Sequence, residues 1–162
     1  MDKLEFDEMG NGKPYTFISL TYTECEEILV NQFPSSITRK SNWKNFLEFH
    51  KDIENVSKYN VKHWIDGSFV TKKLNPKDID VVSFVRPENL TTALQQFDMQ
   101  RSDPKGYVQS KYNIDNYIIV DLTVSHPYYD KMQEQIKYWS TFFSTDRNNN
   151  PKAIVRLENG TN

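Results

Sequence analysis

The sequence predicts one α/β (α+β) domain, a mixed sheet flanked by helices. Three observations predict it. The stretch 77–86 carries Ile79, Val81, Val82, Phe84 and Val85, a β-branched run suited to a buried strand. Around it, apolar residues recur at intervals of three and four, the signature of helices with one buried face. The 162 residues show no repeat and no interdomain linker, which fits a single core of ordinary size.

Taken in order, residues 1–22 read as an N-terminal arm, with Gly10, Gly12 and Pro14 breaking it, and residues 23–162 as the domain. Thr23 and Glu26 have capping-box spacing and predict a short helix from Glu24, ended by Pro34. Ile37, Trp43, Phe46, Leu47, Phe49, Ile53 and Val56 mark one face of a helix over 38–57. A strand over 61–65 ends at Asp66-Gly67-Ser68, and the strand at 77–86 follows. Pro87 opens a helix carrying Leu90, Ala93, Leu94 and Phe97. A turn is expected at 102–106, and a hairpin arm through Tyr107, Val108 and Tyr112. The apolar run at 118–122 predicts a strand over 117–124. Met132, Ile136, Trp139 and Phe143 keep helical spacing after Pro127, a polar loop covers 145–151, and a last strand covers 153–157.

Composition removes several functions. Aromatic residues make up 14%, so the apolar content sits in large rings that favour a packed core over disorder. A net charge of -2 lacks the basic surplus of a duplex-DNA coat protein, whereas RNA remains an eligible partner. Cys25 is the single cysteine, which excludes an internal disulfide and any Cys/His zinc pattern. The acidic start, Met1-Asp2-Lys3-Leu4-Glu5, does not read as a signal peptide, and no run approaches the ~18 apolar residues of a membrane span. A cytoplasmic protein with no membrane partner is expected.

The chemistry concentrates in Trp64-Ile65-Asp66-Gly67-Ser68-Phe69 and Asn75-Pro76-Lys77-Asp78-Ile79-Asp80. Asp78 and Asp80, two apart on a strand, face one side with Cα atoms about 6.6 Å apart. Two such carboxylates repel each other unless a cation neutralises them, and hard oxygen ligands suit Mg2+ or Mn2+. Asp121, the one charge among Ile118-Ile119-Val120-Asp121-Leu122, is expected as the third ligand on an adjacent strand. Asp78, Asp80 and Asp121 would then hold two metal ions, one for the attacking oxygen and one for the leaving phosphate. Gly67 lets the backbone approach a phosphate, Ser68 adds a hydroxyl and an N–H, and a helix opening at Phe69 would turn its positive end to the anion.

This pattern resembles the nucleotidyltransferase superfamily of the DNA polymerase beta type, especially its small bacterial members. Gly67, Ser68, Asp78, Asp80 and Asp121 match its G-S turn, its D-h-D strand and its third carboxylate. The chain is also similar to a little-characterised bacterial and phage-associated family with the motif W-x-D-G-S-F-V-T-x-K-x-x-P-x-D-I-D. That likeness extends to Tyr138-Trp139, Phe142-Phe143, Thr145-Asp146-Arg147 and Pro151-Lys152, with Ser144 and Ala153 standing where glycines are expected. The resemblance implies a nucleotidyltransferase-like sheet and transfer of a nucleoside monophosphate from a nucleoside triphosphate such as ATP. The acceptor, a protein, an RNA end or a small molecule, or else a partner protein, would dock on the open face. It also implies an alternative, a non-catalytic binding module or antitoxin acting through a partner in a toxin–antitoxin or phage-defence setting.

The remaining candidates carry two readings each. Lys72 and Lys73 would reach the β- and γ-phosphates or stand as solvated loop lysines. Arg147 and Lys152 would clamp phosphate or acceptor, or belong to a polar surface loop. Asp66 would orient the Gly-Ser turn or simply end the strand, the second being favoured. Trp64 is expected to pack under the Gly-Ser turn, and His50, His63 and His126 read as structural.

Overall fold

The computed structural model describes residues 3–98 and 107–159, so the turn expected at 102–106 lies outside the described residues. The chain begins with a two-stranded hairpin, β1 (Glu5–Phe6) against β2 (Gly12–Lys13). The main sheet follows with β3 (Phe17–Thr21), β4 (Lys62–Asp66), β5 (Ile79–Val85), β6 (Ile114–Val120) and β7 (Ile154–Glu158). Their spatial order is β3-β7-β4-β5-β6. β3 runs parallel to β7 and β5 parallel to β6, while β4 is antiparallel to both β7 and β5, so the sheet is mixed. The described part of the expected arm, residues 3–22, is therefore part of the fold: Ile18 and Leu20 alternate into the core on an edge strand, and Leu4 packs there too.

The helices divide between the two faces. α1 (Tyr22–Glu26) continues as a wider π-turn over Glu27–Asn31, and α2 (Arg39–Ser57) follows. Next come α3 (Leu90–Phe97) and α4 (Tyr107–Tyr112), and α5 (Tyr129–Phe143) precedes the last strand. The capping box of α1 is Thr21 with Glu24, not Thr23 with Glu26. β3 ends at Thr21 in extended backbone, and the two residues exchange hydrogen bonds of 3.2 and 2.8 Å. α4 replaces the expected hairpin arm.

Because side chains alternate across a strand, Ile65, Ile79 and Val81 face α2, packing with Phe46, Phe49 and Ile53. Trp64, Val82 and Phe84 face α5, packing with Met132, Trp139 and Phe143. A buried polar seam crosses the first core. Ser83 donates its single hydroxyl proton to Asn116 Oδ1 at 2.7 Å, so His63 Nδ1 donates to Ser83 at 2.9 Å. His63 Nε2 then accepts from His50 Nδ1 at 3.0 Å, which gives both histidines the structural place expected of them. His126 is a turn residue whose Nδ1 accepts from the Tyr128 N–H at 3.1 Å. Among the described residues, no helix is long and apolar enough to cross a membrane.

Candidate functional site

The site forms where β4 hands over to the Gly-Ser turn. Gly67 sits at φ +74°, the left-handed region that glycine enters without strain. Across the β4–β5 pair Asp66 lies opposite Asp80, and a β-carbon on Gly67 would overlap Asp80 Oδ2. Glycine is thus required twice, for the backbone angle and for the room that the carboxylate occupies. Gly67–Val70 makes one 3-10 turn, and Phe69 is buried inside it rather than opening a helix. The residue packed under that turn is Trp43, its ring stacked on Phe69 at 6.2 Å. Trp64 instead lies on the other face of the sheet, against Phe17 and Phe84.

The carboxylate that stands beside Asp80 is Asp115. β5 and β6 pair in parallel with Ile79 opposite Ile114, so Asp80 stands beside Asp115 on the α5 face. Asp78 lies just before β5 and is half-buried. Asp121 is a correction to the sequence expectation. Its N–H donates to the Val85 carbonyl at 2.7 Å, at the far end of β5 and five steps from Asp80, about 16 Å at ~3.3 Å per residue. The strand starts three residues earlier than its apolar centre suggests. Asn113, at φ +54°, turns the chain, and Asp115 and Asn116 enter the strand despite their polarity.

Cations and loops surround the acids. Lys152 is buried and forms an ion pair with Asp66 Oδ1, so it is neither a free clamp nor part of a solvated loop. Arg147 is exposed, and its charge lowers the pKa of Asp80, which places it on the acid side of the molecule. Asp146 closes the loop between them, accepting from the Asn148 and Asn150 N–H groups at 2.8 and 2.9 Å and from Asn11 Nδ2 at 3.0 Å. Lys72 and Lys73 have exposed side chains without ion pairs among the described residues, but their backbone is pinned. The Lys72 N–H donates to Gly10 at 2.7 Å, and the Lys73 carbonyl accepts from Arg39 at 2.7 Å. Arg39, fully buried, also donates to the carbonyls of Leu29, Phe69 and Thr71 at 2.6–2.8 Å. It fixes the path from the Gly-Ser turn towards Asp78.

Burial and then the neighbouring Asp115 and Asp78 charges push the Asp80 carboxyl up to about 7. Asp66 is also raised by burial, with Lys152 opposing the shift, and its Oδ2 is buried without a partner. Asp115 is raised by burial and by Asp78, and it accepts from Gln109 Nε2 at 3.3 Å. Among the described residues, no three His, Cys, Asp or Glu side chains stand close enough together to hold an ion as they are. The donor set is nevertheless all hard oxygen, with Asp66 Oδ2 buried and without a partner, and that chemistry fits Mg2+ or Mn2+. Sequence reasoning missed Asp115 and Arg39. The alternation Ile114-Asp115-Asn116-Tyr117 was a usable signal for the first, whereas Arg39 beside Lys40 at a helix start gives none.

No curated protein matches the chain, and no solved structure does. A family model matches residues 4–158, nearly the whole chain and including the N-terminal hairpin; the chain belongs to that family, described as a family of unknown function (DUF6932).

Proposed function

We propose that the chain is a metal-dependent nucleotidyltransferase that moves a nucleoside monophosphate from a nucleoside triphosphate to an acceptor hydroxyl. The observation that carries this reading is the set of Asp80 and Asp115 on two adjacent strands, with Asp78 just before the first, beside a glycine turn shaped around one of them. Folded proteins rarely leave carboxylates crowded, half-buried and unpaired unless a ligand completes them. In this reading Ser68 and the backbone of the turn bind the phosphates, and Lys72, Lys73 and Arg147 meet the β- and γ-phosphates from solvent. Asp78, Asp80 and Asp115 would hold two divalent cations, which when bound supply neutralisation for the attacking and leaving oxygens. The acceptor oxygen bonds to the α-phosphorus, the bond to the pyrophosphate oxygen breaks, and the hydroxyl proton passes to water. Lys152 and Asp66 hold the floor of the site.

The second reading, a non-catalytic binding module acting through a partner, draws on the Asp66–Lys152 pair, which already neutralises part of the cluster. One experiment separates them. The protein is incubated with each α-labelled nucleoside triphosphate, Mg2+ or Mn2+, and a host lysate, and the labelled product is digested to name the acceptor class. Label transfer is expected from the parent and from Asp121→Asn, and none from Asp80→Asn or Asp115→Asn. A parent that transfers no label under any combination overturns the enzyme in favour of the binding module. Loss in Asp121→Asn with retention in Asp115→Asn overturns the assignment of the third carboxylate.

A further inference from the structure

Asp121, displaced from the carboxylate set, lines a cleft of about 700 Å³ at the opposite end of the same sheet face. That volume lies within the range of small-molecule sites. Trp64 and Phe84 on the sheet, with Met132 and Ile136 on α5, give the cleft apolar walls. Three charged side chains enter it: Lys62, Asp121 and Arg156. None of the three forms an ion pair or a side-chain hydrogen bond among the described residues. Arg156 rests its guanidinium on the Phe17 ring at 4.0 Å, and Glu158, the other charge in the lining, accepts from the Ser19 hydroxyl at 2.7 Å.

Two unpaired cations and an unpaired carboxylate in one cleft, not satisfying each other, match a ligand that carries both donors and negative charge. The apolar walls ask for a flat amphipathic body between those ends. A free amino acid has both charges but is far smaller than the cleft. A nucleotide has all three features: a planar base, N–H donors on its edge and a phosphate.

We infer that this cleft is a second nucleotide site, in which Asp121 accepts from the base edge and Lys62 with Arg156 take the phosphate. Guanine is the favoured base, because its N1–H and N2–H stand side by side and can both donate to one carboxylate. Gln133, on the rim, supplies a further amide. The ligand is a free mononucleotide or the terminal nucleotide of an RNA. This second site stands on the cleft's own residues and not on the nucleotidyl-transfer reading, whose carboxylates lie at the other end of β5.

The test is calorimetric titration in EDTA, which keeps it apart from any metal-dependent binding at the carboxylates. GMP, AMP, CMP, UMP and guanosine are each titrated into the parent, Lys62→Gln, Arg156→Gln and Asp121→Asn, all exposed or half-buried positions whose folding is checked by melting. GMP is expected to bind tightest. Guanosine should bind roughly tenfold or more weaker, as loss of a charge-assisted hydrogen bond implies. Lys62→Gln and Arg156→Gln should each weaken GMP by about as much while leaving guanosine unchanged, and Asp121→Asn should abolish the preference for guanine. A short RNA ending in guanosine that binds more tightly than GMP identifies a strand end as the ligand, and equal affinity identifies a mononucleotide. No heat from any nucleotide, or binding indifferent to all three substitutions, overturns the site.

Discussion

Asp80→Asn should make the metal-free protein more stable. The Asp80 carboxyl moves from 3.8 to about 7 on folding, raised by burial and then by Asp115 and Asp78. A folded pKa above the unfolded one means that the native state binds the proton more tightly, so the ionised group opposes folding. The penalty is complete above pH 7 and fades as pH falls towards 3.8. About 3 units at ~1.36 kcal/mol each set a ceiling of about 4 kcal/mol. An amide in the same place still loses its water, so a gain of ~1–3 kcal/mol is expected, or roughly 3–10 °C in Tm for a domain of this size. The assay is thermal melting of parent and variant in EDTA from pH 5 to pH 8, read as the difference between them. That difference matters, because His50 and His63, both lowered by burial, destabilise the fold below about 6.5 and cancel only in the subtraction. The gap should be widest at pH 8 and narrow towards pH 5. A variant less stable than the parent at pH 8 would show that the carboxylate is satisfied by the protein and that its unpaired state has been misread.

Gly67→Ala should lose about 1–2 kcal/mol from the left-handed backbone angle alone, and its β-carbon would drive Asp80 from its place. Melting and metal-dependent triphosphate binding, measured by calorimetry, should both fall, and intact binding would remove the turn from the site. Lys152→Met should cost about 3–5 kcal/mol at pH 8 by leaving Asp66 buried and uncompensated, and the double variant with Asp66→Asn should recover most of it in a melting cycle. A double variant no better than the single would mean that Lys152 acts through its packing.

The elements legible in the sequence are those whose partners matter least. α2 follows from Trp43, Phe46, Phe49 and Ile53 at intervals of three and four, and β5 from its β-branched run, whatever lies beside them. β6 is an edge strand, and its Asp115 and Asn116 dilute the apolar signal, so the strand seemed to centre on 118–122 and to carry Asp121. Only the register against β5 shows which aspartate stands beside Asp80. β3 looks like an arm for the same reason: Ile18 and Leu20 alternate, but the partner strand β7 is more than a hundred residues away. Lys152 and Arg39 are the hardest cases. Long cations are rarely fully buried, and what buries these two is an aspartate far back in the chain and carbonyls from two separate segments, at Leu29 and over 69–73. No local pattern encodes either.

The carboxylate cluster is unfavourable in itself, and the rest of the fold must hold it against its own repulsion. The segment leaving the Gly-Ser turn is held by the Arg39 guanidinium at the start of α2, through the carbonyls of Phe69, Thr71 and Lys73. The N-terminal hairpin holds the next stretch, since Lys72 donates to Gly10 and Asn11 pairs with Thr71. Asn11 also reaches Asp146, and Ala153 donates to the Gly12 carbonyl at 2.7 Å, so the same hairpin fixes the loop that delivers Lys152 to Asp66. Each tie is an uncharged backbone or amide contact outside the cluster, apart from the Arg39 fork and the capped Asp146. Most of the rigidity is thereby supplied from the periphery, while inside the cluster Asp66 has Lys152 and Asp115 has Gln109, and Asp80 keeps its carboxylate beside them, an arrangement that suits a preorganised binding site. The hairpin at residues 5–13, within the stretch that reads as an arm in the sequence, is on this account a support of the site.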